Sequence, residues 1–145
     1  MSDEGKQFKG SCLCGKVSLK IRDQPHMTAN CHCLNCQKTS GAGHAFHLMF
    51  DAGQVEVTGE TKGYQYTADS GSEVTVYFCP ECGSTTHGRT ARFGNMITVR
   101  AAILDDSSGL TPQVSVYRKR LRDWDHLADG PAFDAMPPAE ALPAD

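Results

Sequence analysis

The sequence predicts a mainly β protein of antiparallel sheets, and three observations carry that prediction. Short runs of strictly alternating hydrophobicity recur along the chain, Gly, Asp and Ser clusters separate them, and helical periodicity is scarce. Lys16-Val17-Ser18-Leu19-Lys20-Ile21-Arg22 puts Val17, Leu19 and Ile21 on one face. The same period of two runs through 54–58, 63–67, 73–78, 96–100 and 113–117. Ala45-Phe46-His47-Leu48-Met49-Phe50 is more continuously apolar and reads as a buried strand. Turn clusters stand at 68–72 and 105–109. Two short helices are expected. Leu34 to Ser40 allows two turns stopped by Gly41, and Lys119 to Leu127 allows another with Leu121, Trp124 and Leu127 inward. Trp124 reads as a core anchor.

A length of 145 residues is that of one domain, large enough to bury a core without help from metal or disulfide. The Pro- and Ala-rich end of the chain has too little apolar content to fold alone, so the reading is one domain over 8–134 and a flexible tail over 135–145. A formal charge of −3 disfavours a nucleic-acid binder, and the absence of any long apolar run argues against a membrane span. The first residues, Met-Ser-Asp-Glu-Gly-Lys, do not read as a secretory signal, so the expected location is cytoplasmic.

Seven cysteines stand out, an odd number that suits full disulfide pairing badly. They fall into three groups: Cys12 and Cys14 before a strand, Cys31, Cys33 and Cys36 in a loop entering the short helix, and Cys79 and Cys82 in a turn leaving a strand. Cys79-Pro80-Glu81-Cys82-Gly83 has the form of a zinc knuckle, whose tight turn aims two sulfurs at one point. Structural zinc takes four ligands and catalytic zinc three, so seven thiolates divide naturally as four plus three. The preferred division joins Cys12, Cys14, Cys79 and Cys82 in a closed site and leaves Cys31, Cys33 and Cys36 as an open one. Spacing alone leaves other readings standing: inert buried cysteines, redox Cys-x-x-Cys pairs, or wholly structural zinc with His32 filling the second site. An open three-thiolate zinc suits activating a thiol better than making hydroxide, and a bound thiolate can attack a small electrophile such as an aldehyde.

Among six histidines, His44 and His47 flank the start of a strand near the open group and could act as acid or base. They read equally as polar residues at a strand edge. Lys38 could meet a substrate carboxylate or be a solvated charge. These three are the candidate substrate residues. The basic run Arg118-Lys119-Arg120 is followed at once by Asp123 and Asp125 and forms a mixed surface.

Taken together, Gly10-Ser11-Cys12-Leu13-Cys14-Gly15-Lys16-Val17, Cys31-His32-Cys33-Leu34-Asn35-Cys36-Gln37-Lys38, Ser40-Gly41, Phe78-Cys79-Pro80-Glu81-Cys82-Gly83-Ser84, Leu104-Asp105-Asp106 and the stretch from Trp124 to Asp129-Gly130-Pro131 resemble the glutathione-dependent formaldehyde-activating enzyme family. The resemblance implies a β-tent of zinc-clamped antiparallel sheets. It implies two zinc ions, the one held by Cys12, Cys14, Cys79 and Cys82 being structural and tightly bound, the other held by Cys31, Cys33 and Cys36. It also implies a carbon–sulfur lyase joining glutathione and formaldehyde into S-hydroxymethylglutathione. Gln37 departs from the family, whose members commonly carry a basic residue there. The alternative is a non-enzymatic zinc module that binds a protein or a small ligand. The fourth position at the three-cysteine site discriminates the two.

Overall fold

The computed structural model describes residues 6–138. Ten strands run in chain order: β1 (Gln7–Ser11), β2 (Ser18–Arg22), β3 (Met27–Cys31), β4 (Ala45–Asp51), β5 (Val55–Thr58), β6 (Lys62–Thr67), β7 (Glu73–Phe78), β8 (Thr85–Thr90), β9 (Met96–Arg100) and β10 (Val114–Val116). One α-helix, α1 (Leu34–Ser40), lies between β3 and β4 and ends at Gly41, which adopts φ 71°.

Two sheets result. A three-stranded sheet has the order β1-β2-β5, and a seven-stranded sheet the order β10-β3-β4-β9-β8-β7-β6. The pairs are antiparallel save one: β10 lies parallel to β3, with Val114 opposite Ala29 and Val116 opposite Cys31. This departs from the expected purely antiparallel arrangement. The chain returns from β9 by a long connection and enters beside β3 in the same direction, as a parallel pair requires.

Alternation along the strands gives the larger sheet two different faces. Leu48 and Phe50 of β4 with Ile97 and Val99 of β9 pack against Phe8, Val17, Leu19 and Ile21 of the small sheet and its flank, forming the main core. Phe8 and Phe50 meet edge to face with ring centroids 6.4 Å apart. The intervening residues, His47 and Met49 of β4 and Thr98 and Arg100 of β9, line a cleft on the opposite face. Register places His47 between Ala29 and Arg100 across three strands.

The segment expected to form a second helix, Lys119 to Leu127, does not. Only a 3₁₀ turn at Arg118–Arg120 forms. The side chain of Gln37 takes the Arg120 carbonyl at 3.0 Å and accepts from Arg122 Nε at 2.7 Å, so polar contacts with α1 hold this stretch where a helix would use its own carbonyls. Trp124 is 68% exposed, which corrects its reading as a core anchor. Further on, Phe133 N–H donates to Ser115 O at 2.9 Å, and Phe133, Ala135 and Met136 pack beside Val114, Val116 and Tyr117. Of the expected tail, residues 139–145 lie outside the described residues.

Candidate metal centres and active-site cleft

The seven cysteines are all free and gather in two places. Cys12 and Cys14 sit in the turn between β1 and β2, and Cys79 and Cys82 in the turn between β7 and β8. Each turn fixes its own sulfurs. Cys12 N–H donates to Val17 O at 2.9 Å, and Val17 N–H donates to Cys12 Sγ at 3.2 Å. Gly83 N–H closes the knuckle on Cys79 O at 2.8 Å, and Cys79 N–H donates to Ser84 O at 3.0 Å. Ser84 Oγ bridges the turns, accepting from Leu13 N–H at 3.0 Å and lying 3.3 Å from Cys82 Sγ. That hydroxyl and the Ser84 backbone amide bring the Cys82 thiol down to about 5. Cys12 and Cys79 belong to the main core, whereas Cys14 is exposed.

The sulfur spacing tests whether a metal fits. Zinc–thiolate bonds of about 2.3 Å set tetrahedral sulfur–sulfur edges of about 3.8 Å. Cys14 Sγ lies 3.6 Å from Cys12 Sγ and 3.7 Å from Cys79 Sγ. These two edges match a tetrahedral zinc site, and all four sulfurs lie within 4.8 Å of one another, so the group could hold a metal ion.

Cys31, Cys33 and Cys36 are all buried and are among the residues that line the cleft. Cys31 closes β3, Cys33 caps α1 by accepting from Cys36 N–H at 3.3 Å, and Cys36 lies in the first turn. Their sulfurs lie within 4.8 Å of one another. Hydrogen bonds from Cys31 and Cys36 depress Cys33 far below the ordinary thiol value. The contact with Cys33, with burial, pushes Cys31 up to about 12, and the contacts with Cys31 and Cys33, with burial, raise Cys36. A dication bound there would favour the thiolate form of all three. Among the described residues no histidine, cysteine or carboxylate joins these three sulfurs as a fourth common ligand. His47 Nε2 approaches Cys36 Sγ alone, at 3.3 Å.

The cleft has a volume of about 130 Å³. His47 is half-buried in its wall with Nδ1 shut off from solvent, and this desolvation pulls its pKa down to about 3, so the ring is neutral. Burial pushes the Tyr66 phenol well above its usual range, and it also faces the cleft. Three arginines line it. Arg100 is buried and donates to Thr39 Oγ1 at 2.8 Å, Arg89 is exposed, and Arg92 is exposed with Nη2 bonded to Pro137 O at 2.6 Å.

Of the substrate candidates read from the sequence, His47 lines this cleft, whereas Lys38 is exposed outside it and His44 lies against Asp125 at 2.7 Å. His32 points away from the sulfurs between which it stands in sequence and groups with His44 and Asp125. Gln37 is buried, with Nε2 donating to His32 O at 2.8 Å, so it braces the cysteine loop instead of meeting a ligand. Sequence reading missed Tyr66 and the three arginines. Arg100 alone carried a signal, a charge ending an otherwise apolar alternation.

Comparisons with known proteins bear on the family and the fold. The family model described as glutathione-dependent formaldehyde-activating enzyme matches residues 7–120. A crystal structure of a Rhodobacter sphaeroides protein is similar to 86% of this chain and 98% of its own, at 22% identity and a TM-score of 0.56, which supports the fold. No curated protein matches the chain.

Proposed function

Since the chain belongs to the glutathione-dependent formaldehyde-activating enzyme family, we propose that it is a zinc-dependent carbon–sulfur lyase joining a small anionic thiol, glutathione foremost, to formaldehyde or a related small aldehyde. The observation that carries this reading is the three-cysteine site, buried in the lining of a cleft and lacking a fourth common protein ligand among the described residues. A closed site would favour the binding module instead.

Cys31, Cys33 and Cys36 would hold one zinc, and Cys12, Cys14, Cys79 and Cys82 the other. Zinc bound at the three-cysteine site would supply a Lewis acid that keeps a substrate thiol deprotonated near neutral pH. The remaining chemistry belongs to the cleft. Its volume of about 130 Å³ is roughly ten times the space one water needs, which admits the reacting end of a thiol and a small aldehyde. The substrate sulfur forms a carbon–sulfur bond to the aldehyde carbon, and the carbonyl π pair moves to oxygen. That oxygen takes up a proton equivalent to the one the thiol lost, giving the hydroxymethyl thioether. Tyr66, kept protonated by burial, can donate a hydrogen bond to the developing oxyanion. Neutral His47 steadies Cys36 without adding charge. Arg89 and Arg92 at the rim suit the carboxylates of a peptide thiol, and buried Arg100 offsets the negative charge of the thiolates.

The test is stepwise chelation while recording zinc content, circular dichroism and consumption of formaldehyde with glutathione. Turnover should disappear with the first zinc lost and return when zinc is restored. Turnover at the uncatalysed rate with both cysteine groups loaded would overturn the reaction and put the binding module first.

A further inference from the structure

We propose that His32, His44 and Asp125 form a third metal site, for one divalent transition-metal ion of the zinc, cobalt(II) or iron(II) class, separate from both cysteine groups. It does not rest on the catalytic reading above.

The first observation is an unsatisfied imidazole. The side chain of His32 is completely buried, and neither ring nitrogen makes an aligned hydrogen bond; its nearest polar neighbours are the Asp125 carboxylate and the Gly43 carbonyl. Buried polar atoms without partners are uncommon and call for a cause. Here the ring faces a histidine and a carboxylate. Asp125 Oδ2 lies 3.4 Å from His32 Nδ1 and 2.7 Å from His44 Nδ1, and the two imidazole rings are 4.9 Å apart, tilted at 43°. One donor atom from each residue falls within 4.8 Å of the others.

The geometry is close to that of an ion site. Metal bonds of about 2.0–2.1 Å to nitrogen and oxygen place neighbouring tetrahedral ligands about 3.3 Å apart. The His32–Asp125 separation already has that value. The His44–Asp125 pair is drawn together by a hydrogen bond, which an ion would replace with two shorter metal bonds. Each imidazole would bind through Nδ1 and keep its proton on Nε2. The donor set of two nitrogens and one carboxylate oxygen selects transition metals over calcium or magnesium, which take oxygen-rich shells. Three ligands leave room for water.

The surroundings are shaped for this cluster. The Asp125 carboxylate lies so close to Gly43 that a Cβ there would stand 2.4 Å from Oδ2. The side chains of His44 and Asp125 are 30% and 15% exposed, which gives an ion a way in. The three residues lie just after β3, just before β4 and in the segment after Arg120. An ion would therefore tie together the three pieces of chain around the cysteine loop, His32 standing between Cys31 and Cys33.

Cobalt(II) reconstitution of the whole metal-free protein tests this. Thiolate sites give intense sulfur-to-cobalt charge-transfer absorption, and a His₂Asp site gives none. The expected result is three cobalt ions per chain by dialysis and metal analysis, with charge-transfer absorption complete at two. His44→Ala and the near-isosteric Asp125→Asn should each weaken the third ion at least tenfold and leave the charge-transfer amplitude unchanged. Excess zinc should raise the melting temperature of the wild type more than that of either variant, with circular dichroism confirming that the variants fold. Charge-transfer absorption that accounts for every bound ion, or a third ion retained at unchanged affinity by both variants, would overturn the proposal.

Discussion

The two cysteine groups present the same donor atom in different surroundings. Cys12, Cys14, Cys79 and Cys82 come from two turns that belong to different sheets, and two of them are part of the main core. A metal held there would be a fastener between sheets, and its binding energy would be folding energy. Cys31, Cys33 and Cys36 come from one short stretch whose strand and helix are already positioned, and they open into a cleft. A metal held there would add little to the fold and would have a position to offer a ligand. Ligand number follows from this: a fastener gains from saturation, whereas a reactive site needs one position unfilled.

The hardest test of that contrast is Cys79→Ser. It should cost one metal ion and lower the melting temperature by on the order of 10 °C, measured by calorimetry with metal analysis. If both metal and melting temperature stayed as they were, the fastener role would be wrong. Cys33→Ser should show the mirror image. Formaldehyde turnover with glutathione should fall by on the order of 100-fold or more, because several kcal/mol of charge stabilisation are removed, while circular dichroism is unchanged.

Smaller effects sharpen the comparison. Gly43→Ala would drive a methyl into the Asp125 carboxylate and should destabilise the chain by about 1–3 kcal/mol in urea unfolding, without loss of either cysteine-bound metal. Acid should act through His87, which burial holds down to about 4. Unfolded histidine titrates near 6.5, so between about pH 6.5 and about 4 the unfolded chain binds the proton that the folded chain refuses. His87 therefore contributes stability above that window and loses it as pH falls, at up to about 1.4 kcal/mol per pH unit. His87→Gln should flatten this part of the stability–pH curve, while acid loss of the cysteine-bound metals persists. An unchanged curve would show that His87 carries none of the dependence.

Much of the fold is legible in the amino-acid sequence alone. The period-two runs, with the apolar run at 45–50, locate β2, β4, β5, β6, β7, β9 and β10, because half-buried strands must alternate and fully buried ones are apolar throughout. Three strands carry no such signal. β1 has one apolar anchor, Phe8. In β8 the buried positions are Thr86, His87 and Gly88, which fit between β7 and β9 because the strands approach closely and not because they are hydrophobic. β3 buries Thr28 and Asn30 beside its apolar residues. Trp124 misleads because large aromatics are usually buried, whereas here the polar contacts of Gln37 and Asp125 decide how its segment lies.

By itself the sequence determined the secondary-structure class, the helix stopped by Gly41 and the spacing of sulfurs within each cysteine group. These depend on neighbours a few residues apart, where backbone geometry leaves few choices. Only the tertiary structure decided which groups meet. It brought Cys12 and Cys14 to Cys79 and Cys82, set Arg100 and Tyr66 around the cleft of Cys31, Cys33 and Cys36, and carried Asp125 across 81 positions of the chain to His44. Such meetings follow from strand register and the long return to β10. No local periodicity encodes them, because they are fixed by burying two sheet faces at once.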